Sequence, residues 1–173
     1  MADVPSPNKE MIEDLNKLGI FDGGEIDLLE PITRGEYITL LFKANNAIRP
    51  PGNNIRLVPN YNAGFTDIDS SHPAYKYVQA LANAGYSVGY DDKSLQPDRP
   101  LTREELIGIK VGVDANEKPD SEHNVWNFSD YEQIDRRFKP YVYNDNFLQG
   151  DNGTNIQRAF GKINTFKPKQ PVA

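Results

Sequence analysis

The chain has 173 residues, 38% of them hydrophobic and 25% charged, enough to bury one core in a single domain or in a few small units that share it. A formal charge of -6 excludes bulk electrostatic attraction to nucleic acid or anionic lipid, so no nucleic-acid partner is expected and any anionic ligand must be caught locally. With no cysteine, disulfides, thiolate metal sites and a cysteine nucleophile are excluded, while the compartment stays open.

The opening Met1-Ala2-Asp3-Val4-Pro5 has neither a basic nor an apolar leader segment, so no export signal is expected within this chain. A first short helix is expected around Leu15-Asn16-Lys17-Leu18, stopped by Gly19. Phe21, Asp22, Gly23 and Gly24 follow as a loop. Pro31-Ile32-Thr33-Arg34-Gly35-Glu36 then starts a second helix: Thr33 and Glu36 have the spacing of a capping box, and Ile38, Leu40, Leu41, Phe42 and Ala44 continue it. The longest apolar run, Ile38 to Phe42 with Thr39 inside it, is far short of the roughly 18 residues of a membrane-spanning helix.

The same order recurs downstream. Leu81-Ala82-Asn83-Ala84-Gly85-Tyr86 matches Leu15 to Ile20, and Pro100-Leu101-Thr102-Arg103-Glu104-Glu105 matches Pro31 to Glu36. Pro73 suits a first helical turn, and Ala74, Val78, Leu81 and Ala82 run at helical spacing to Gly85. Tyr86 to Pro100 reads as an ordered loop, and Thr102 with Glu105 forms a second capping box before Leu106, Ile107, Ile109, Lys110 and Val111. A third copy begins with Phe128-Ser129-Asp130, which echoes Phe65-Thr66-Asp67. Its tail, Phe166 to Ala173, echoes Leu95 to Thr102, with about eight extra residues expected around Gly150 to Gln157. Ala173 falls where Thr102 sits, so the counterpart of the second helix is expected to be missing. The units read as 1–48, 63–115 and an incomplete 125–173, with linkers at 49–62 and 116–124, together one structural domain. A helix pair this short must pack on its neighbours.

The ordered pattern of Phe65 and Asp67, Gly85, Gly89, Leu95, Pro97, then Leu101, Thr102, Arg103 and Glu105 resembles the S-layer homology (SLH) repeat. The first copy resembles it from Leu15 to Ala44, including Thr33, Arg34 and Glu36. The third keeps Phe128, Asp130, Phe166 and Pro168. The resemblance implies a mainly α fold, a pseudo-threefold bundle of helix-loop-helix repeats with long ordered loops and a small β-hairpin in the third. It also implies a non-catalytic module of the cell envelope, periplasmic or at the cell surface. Its partner would be cell-wall polysaccharide, often pyruvylated, or peptidoglycan, bound in grooves between repeats, with a fused C-terminal domain outside this chain. The long third copy resembles divergent cyanobacterial forms.

Candidate ligand contacts follow from helix physics. Arg34 and Arg103, after Thr33 and Thr102, are expected at the first helical position, beside unpaired amides at the positive end of the helix dipole, where a carboxylate could be held. The alternative is structural: each arginine bridges to Asp67, Asp130 or a capping-box glutamate and fixes one repeat on the next. Gly89, Tyr90, Asp91, Asp92 and Lys93, and Asp22 and Gly23 in the first copy, could contact a sugar or serve turn chemistry alone. Trp126 reads as a sugar platform or a core residue, His72 as a helix cap, and Gly150 to Asn155 as an ordinary turn rather than a calcium loop. No catalytic constellation, cofactor motif or metal motif is expected. The rival function is an envelope assembly module that has kept the fold and lost glycan binding. The missing helix adds an expected apolar slot, and with it a dimer.

Overall fold

A computed structural model describes residues 6–21, 29–115, 128–142 and 155–173. Within them the chain is mainly helical, with α1 (Ser6–Lys17), α2 (Arg34–Ile48), α3 (Tyr75–Asn83), α4 (Arg103–Ala115) and α5 (Asn155–Phe160), and a 3-10 turn at Tyr131–Gln133. Residues 139–142 are also helical. No described helix is long and apolar enough to cross a membrane.

The glycine stops are built as the sequence predicts. Gly19 and Gly85 have φ of +70° and +93°, the left-handed region that only glycine enters freely. Beyond them Ile20 N–H donates to Leu15 O and Tyr86 N–H to Leu81 O, each at 3.0 Å, so α1 and α3 close with the same wrapped turn. The capping box of α2 is complete: Thr33 Oγ1 accepts from Glu36 N at 3.2 Å and Glu36 Oε2 accepts from Thr33 N at 2.8 Å. The second box is a correction, because only its glutamate half forms. Glu105 Oε2 accepts from Thr102 N at 3.0 Å, while Thr102 Oγ1 is buried with no hydrogen-bond partner.

Among the described residues there is no strand, only the isolated bridges Thr33–Pro100 and Thr102–Pro171. The small β-hairpin expected in the third copy is therefore corrected where the chain is described. Residues 155–160 form α5, which buries Ile156 and sets the Phe160 ring 6.1 Å from that of Phe166. Gly150 to Thr154 lie outside the described residues.

Two loop clamps share one design, with the aspartate 28 residues before its first amide in one and 36 in the other. The Asp67 carboxylate accepts from Leu95 N and Gln96 N, and the Asp130 carboxylate from Phe166 N and Lys167 N, all at 2.8 Å. In both loops the second amide belongs to a residue in the left-handed region, Gln96 at φ +55° and Lys167 at +54°. The aspartate supplies two charge-assisted acceptors that hold the strained turn. Three segments then close a circuit: Leu101 N donates to Ile32 O, Val172 N to Leu101 O, and Ile32 N to Val172 O, each at 2.8 Å.

Two apolar clusters sit behind these loops. One joins Ile38 and Phe42 of α2 to Val78 and Leu81 of α3 and to Val88, Leu95, Leu101 and Ile109. The other joins Ile107 to Phe128, Ile134, Val142, Ile156 and Phe166. Each fully buried aliphatic side chain here contributes about 1.5–3 kcal/mol. Because Ile109 belongs to the first cluster and Ile107 to the second, α4 is the shared wall between them. Phe166 is fully buried within the single chain, so the expected slot that would drive dimer formation is not open at that residue.

Candidate functional site

The two arginines singled out in the sequence do stand at the starts of α2 and α4, but the amides beside them are occupied. Arg34 N donates to Arg99 O at 3.0 Å and Gly35 N to Pro97 O at 2.8 Å; likewise Arg103 N donates to Gln170 O and Glu104 N to Pro168 O, both at 3.1 Å. The loop that follows each helix in space supplies the carbonyls which an anion would have to displace.

Arg34 is only 2% exposed. Its Nε donates to Leu95 O and its Nη2 to Val88 O, each at 2.8 Å, while Nη1 lies 3.5 Å from Glu105 Oε2. Arg103 repeats the arrangement in looser form, with Nη1 donating to Phe166 O at 3.1 Å and its guanidinium 4.4 Å from the Phe160 ring centroid. Arg34 thereby meets a capping-box glutamate, as the structural alternative expects, whereas Arg103 meets a carbonyl and a ring. The acid that Arg34 meets is the capping-box Glu105; the carboxylates of Asp67 and Asp130 are committed to their loop amides.

Glu105 is the hub of this region. Its Oε1 accepts from Tyr90 Oη and from Arg99 Nη2, and Arg99 Nη2 also donates to Tyr90 Oη at 2.7 Å. Burial pushes the Glu105 carboxyl up, but hydrogen bonds from Arg99, Tyr90 and the Thr102 amide, with the charge of Arg34, bring it below its ordinary value. Burial and the hydrogen bond to Glu105 push the Tyr90 phenol up to about 12, so it stays a protonated donor.

Two adjoining clefts open beside this hub, between the loop 85–92 and the segment 135–141. The first, about 270 Å³, is walled by Tyr86, Ser87, Val88, Gly89, Tyr90 and Asp91 on one side, Gly108 and Ile109 beneath, and Arg137, Phe138 and Tyr141 on the other. The second, about 480 Å³, shares Tyr90, Asp91, Arg137 and Phe138 with it and adds polar groups including Asp92, Thr102, Glu104, Asp135 and Lys169. Aromatic rings beside glycine backbone and a few polar groups form a wall suited to a polar ligand with an apolar face.

The structure thus gathers Gly89, Tyr90, Asp91 and Thr102 from the predicted set around one place, with the buried Arg34 at the edge of the first cleft, and leaves others out. Gly89 has a packing reason of its own, since a Cβ there would run into the Phe65 ring and come within 2.9 Å of Ser94 O. Lys93 lines neither cleft; its backbone turns back to Tyr90 O and accepts from Thr66 N. Thr33 serves its cap. Asp22, Gly23 and Trp126 lie outside the described residues. His72, expected as a helix cap, stands two residues before the N-cap Ala74 of α3, which has no side-chain cap; its Nδ1 accepts from Ala74 N at 3.1 Å and its Nε2 lies 2.9 Å from Asp98 Oδ1. Among the described residues no group of three or more metal-ligating side chains is placed to hold an ion. Sequence reasoning missed Arg137. The one signal was Arg136-Arg137-Phe138, a basic-aromatic run where the earlier segment, in the register that sets Phe65 against Phe128, has Pro73-Ala74-Tyr75.

A comparison with curated protein sequences gives no significant match. Residues 64–107, from just before Phe65 through the first turns of α4, match the S-layer homology domain. This is a non-catalytic binding module of the cell envelope or surface, and one that generally anchors proteins to the cell wall by binding a secondary cell-wall polymer.

Proposed function

We propose that this chain holds a larger protein against the bacterial wall by taking a secondary wall polysaccharide, acidic and pyruvylated, or a peptidoglycan-linked glycan into the paired clefts between loop 85–92 and segment 135–141. The observation that carries this reading is the composition of the shared wall: the Tyr90 and Phe138 rings, the backbone of Gly89 and the exposed Arg137 face one opening. Arg34 and Arg103 act as struts between copies and not as sugar contacts. Three copies about a pseudo-threefold axis are supported by the closed circuit of Ile32, Leu101 and Val172 and by the recurring aspartate clamps.

The test is cosedimentation of the chain with wall sacculi from its own source, with and without their attached polymer, beside Ser87→Trp. Ser87 is exposed on the first cleft, so the indole fills the opening without entering the core. Binding that requires the polymer and falls at least tenfold in the variant is the expected result. A folded wild type that sediments equally with stripped walls, or not at all, rejects the cleft.

The rival, an assembly module that has lost glycan binding, is favoured by one observation: both motif arginines are engaged inside the chain, as that reading requires. Exposed Leu57 and Tyr61 in the 49–62 segment would then be the surface to mutate.

A further inference from the structure

Among the described residues four cations line the two clefts, and three of them are committed. Arg34 is buried, Arg99 is held by Glu105 and Tyr90, and Lys169 is paired with Glu104, itself buried. Arg137 differs. Its side chain is 46% exposed and its acid partner is Asp135, two residues away, with Nε 3.3 Å and Nη2 3.5 Å from the carboxylate oxygens. That is a long, partly exposed local pair, of the kind that holds a side chain weakly. The guanidinium rests instead on aromatic rings, 4.6 Å from the Tyr90 centroid and 5.6 Å from that of Phe138. Those two rings, with Asp91, are the elements common to both clefts, so Arg137 lies across the passage from one to the other.

We infer that Arg137 is a displaceable cover on the Tyr90 ring which selects carboxylate-bearing glycan units over neutral ones; this rests on the cleft reading above. A sugar ring that stacks on Tyr90 must first move the guanidinium aside. A neutral unit gives nothing in exchange for the lost cation–ring contacts. A unit carrying a carboxylate offers the planar fork a bidentate, charge-assisted partner as it swings off the ring, so uncovering the platform and binding the acid are one event. The walls favour a single negative charge over a phosphate monoester, because Asp91, Asp92 and Asp135 stand around the same opening.

The experiment uses the full chain and sacculi bearing their polymer, either native or with carboxylates converted to neutral amides by carbodiimide coupling. Wild type, Arg137→Gln, Arg137→Lys and the cleft-filling Ser87→Trp are compared, each checked for an unchanged melting temperature. Wild type is expected to bind native walls at least tenfold better than amidated ones. Arg137→Gln should bring that ratio close to one, both by weakening binding to native walls and by strengthening binding to amidated walls a few-fold. Arg137→Lys should restore part of the preference. Native-to-amidated ratios that match in wild type and Arg137→Gln overturn the selection role, as does a wild type indifferent to amidation. If Ser87→Trp still abolishes binding in either case, the cleft itself stands. If no variant differs from wild type, Ser87→Trp included, the cleft reading has failed along with the inference.

Discussion

Arg34 and Leu95 are 61 residues apart in sequence, yet Arg34 Nε donates to the Leu95 carbonyl at 2.8 Å from a position almost closed to solvent. That carbonyl belongs to the loop which Asp67 holds in place through the Leu95 and Gln96 amides. The side chain at the start of α2 is therefore part of the framework of a loop far along the chain. An arginine that looks like an anion trap in the sequence is a cross-brace in the fold.

Replacing Arg34 with alanine takes the side-chain donor from Val88 O and Leu95 O and one cation from the buried Glu105, which keeps Arg99, Tyr90 and the Thr102 amide. Leaving a buried carbonyl without its donor costs about 1–3 kcal/mol. Urea unfolding should show a loss of that order for Arg34→Ala. Arg34→Lys should recover little, because an ammonium cannot meet two carbonyls and a carboxylate in the plane of a guanidinium. A loss under about 1 kcal/mol would mean that the brace is ornamental.

Gly89→Ala places a methyl against Phe65 and Ser94 O. Overpacking of this kind costs about 1–3 kcal/mol. The double variant with Phe65→Leu, which withdraws the ring, should recover part of the loss. If thermal melts show the two substitutions to be additive, the predicted contact is not the cause.

Acid should loosen the hub. Glu105 titrates below its ordinary value of 4.5 in the folded chain, so the folded state holds its proton less tightly than the unfolded state. Its contribution to stability is complete above about pH 4.5, the unfolded value, and is lost as the pH falls through the lower folded value. Melting temperature followed from pH 7 to pH 3 should fall for wild type below that point. Glu105→Gln should begin lower and fall less, so that the two curves converge in acid. Parallel curves would place the acid sensitivity elsewhere.

The local features of the fold were legible because each is fixed by a few neighbouring residues. The Gly19 and Gly85 stops and the Thr33–Glu36 box are short-range patterns whose chemistry leaves few choices. The site was legible only on one side. Gly89, Tyr90 and Asp91 stand together in the chain and on the cleft wall, so the loop announced itself. The facing wall did not: Arg137 and Phe138 arrive from a segment more than forty residues away, set there by the packing of Ile134 and Val142 on α4, which no spacing rule expresses. The half-formed second capping box shows the same limit. Thr102 and Glu105 have the right spacing, but Tyr90 and Arg99 also hold the Glu105 carboxylate, and neither belongs to the motif.

The circuit through Ile32, Leu101 and Val172 has a mechanical side. Tension applied at residue 173 reaches the body through Val172, whose amide is bonded to Leu101 and whose carbonyl accepts from Ile32. The load therefore divides at once between two points 69 residues apart along the chain, and both lie next to the N-terminal ends of long helices. Pulling there strains short backbone links before it can unwind a helix or pry a loop from its aspartate clamp. A tether attached at that end would draw on α2 and α4 together.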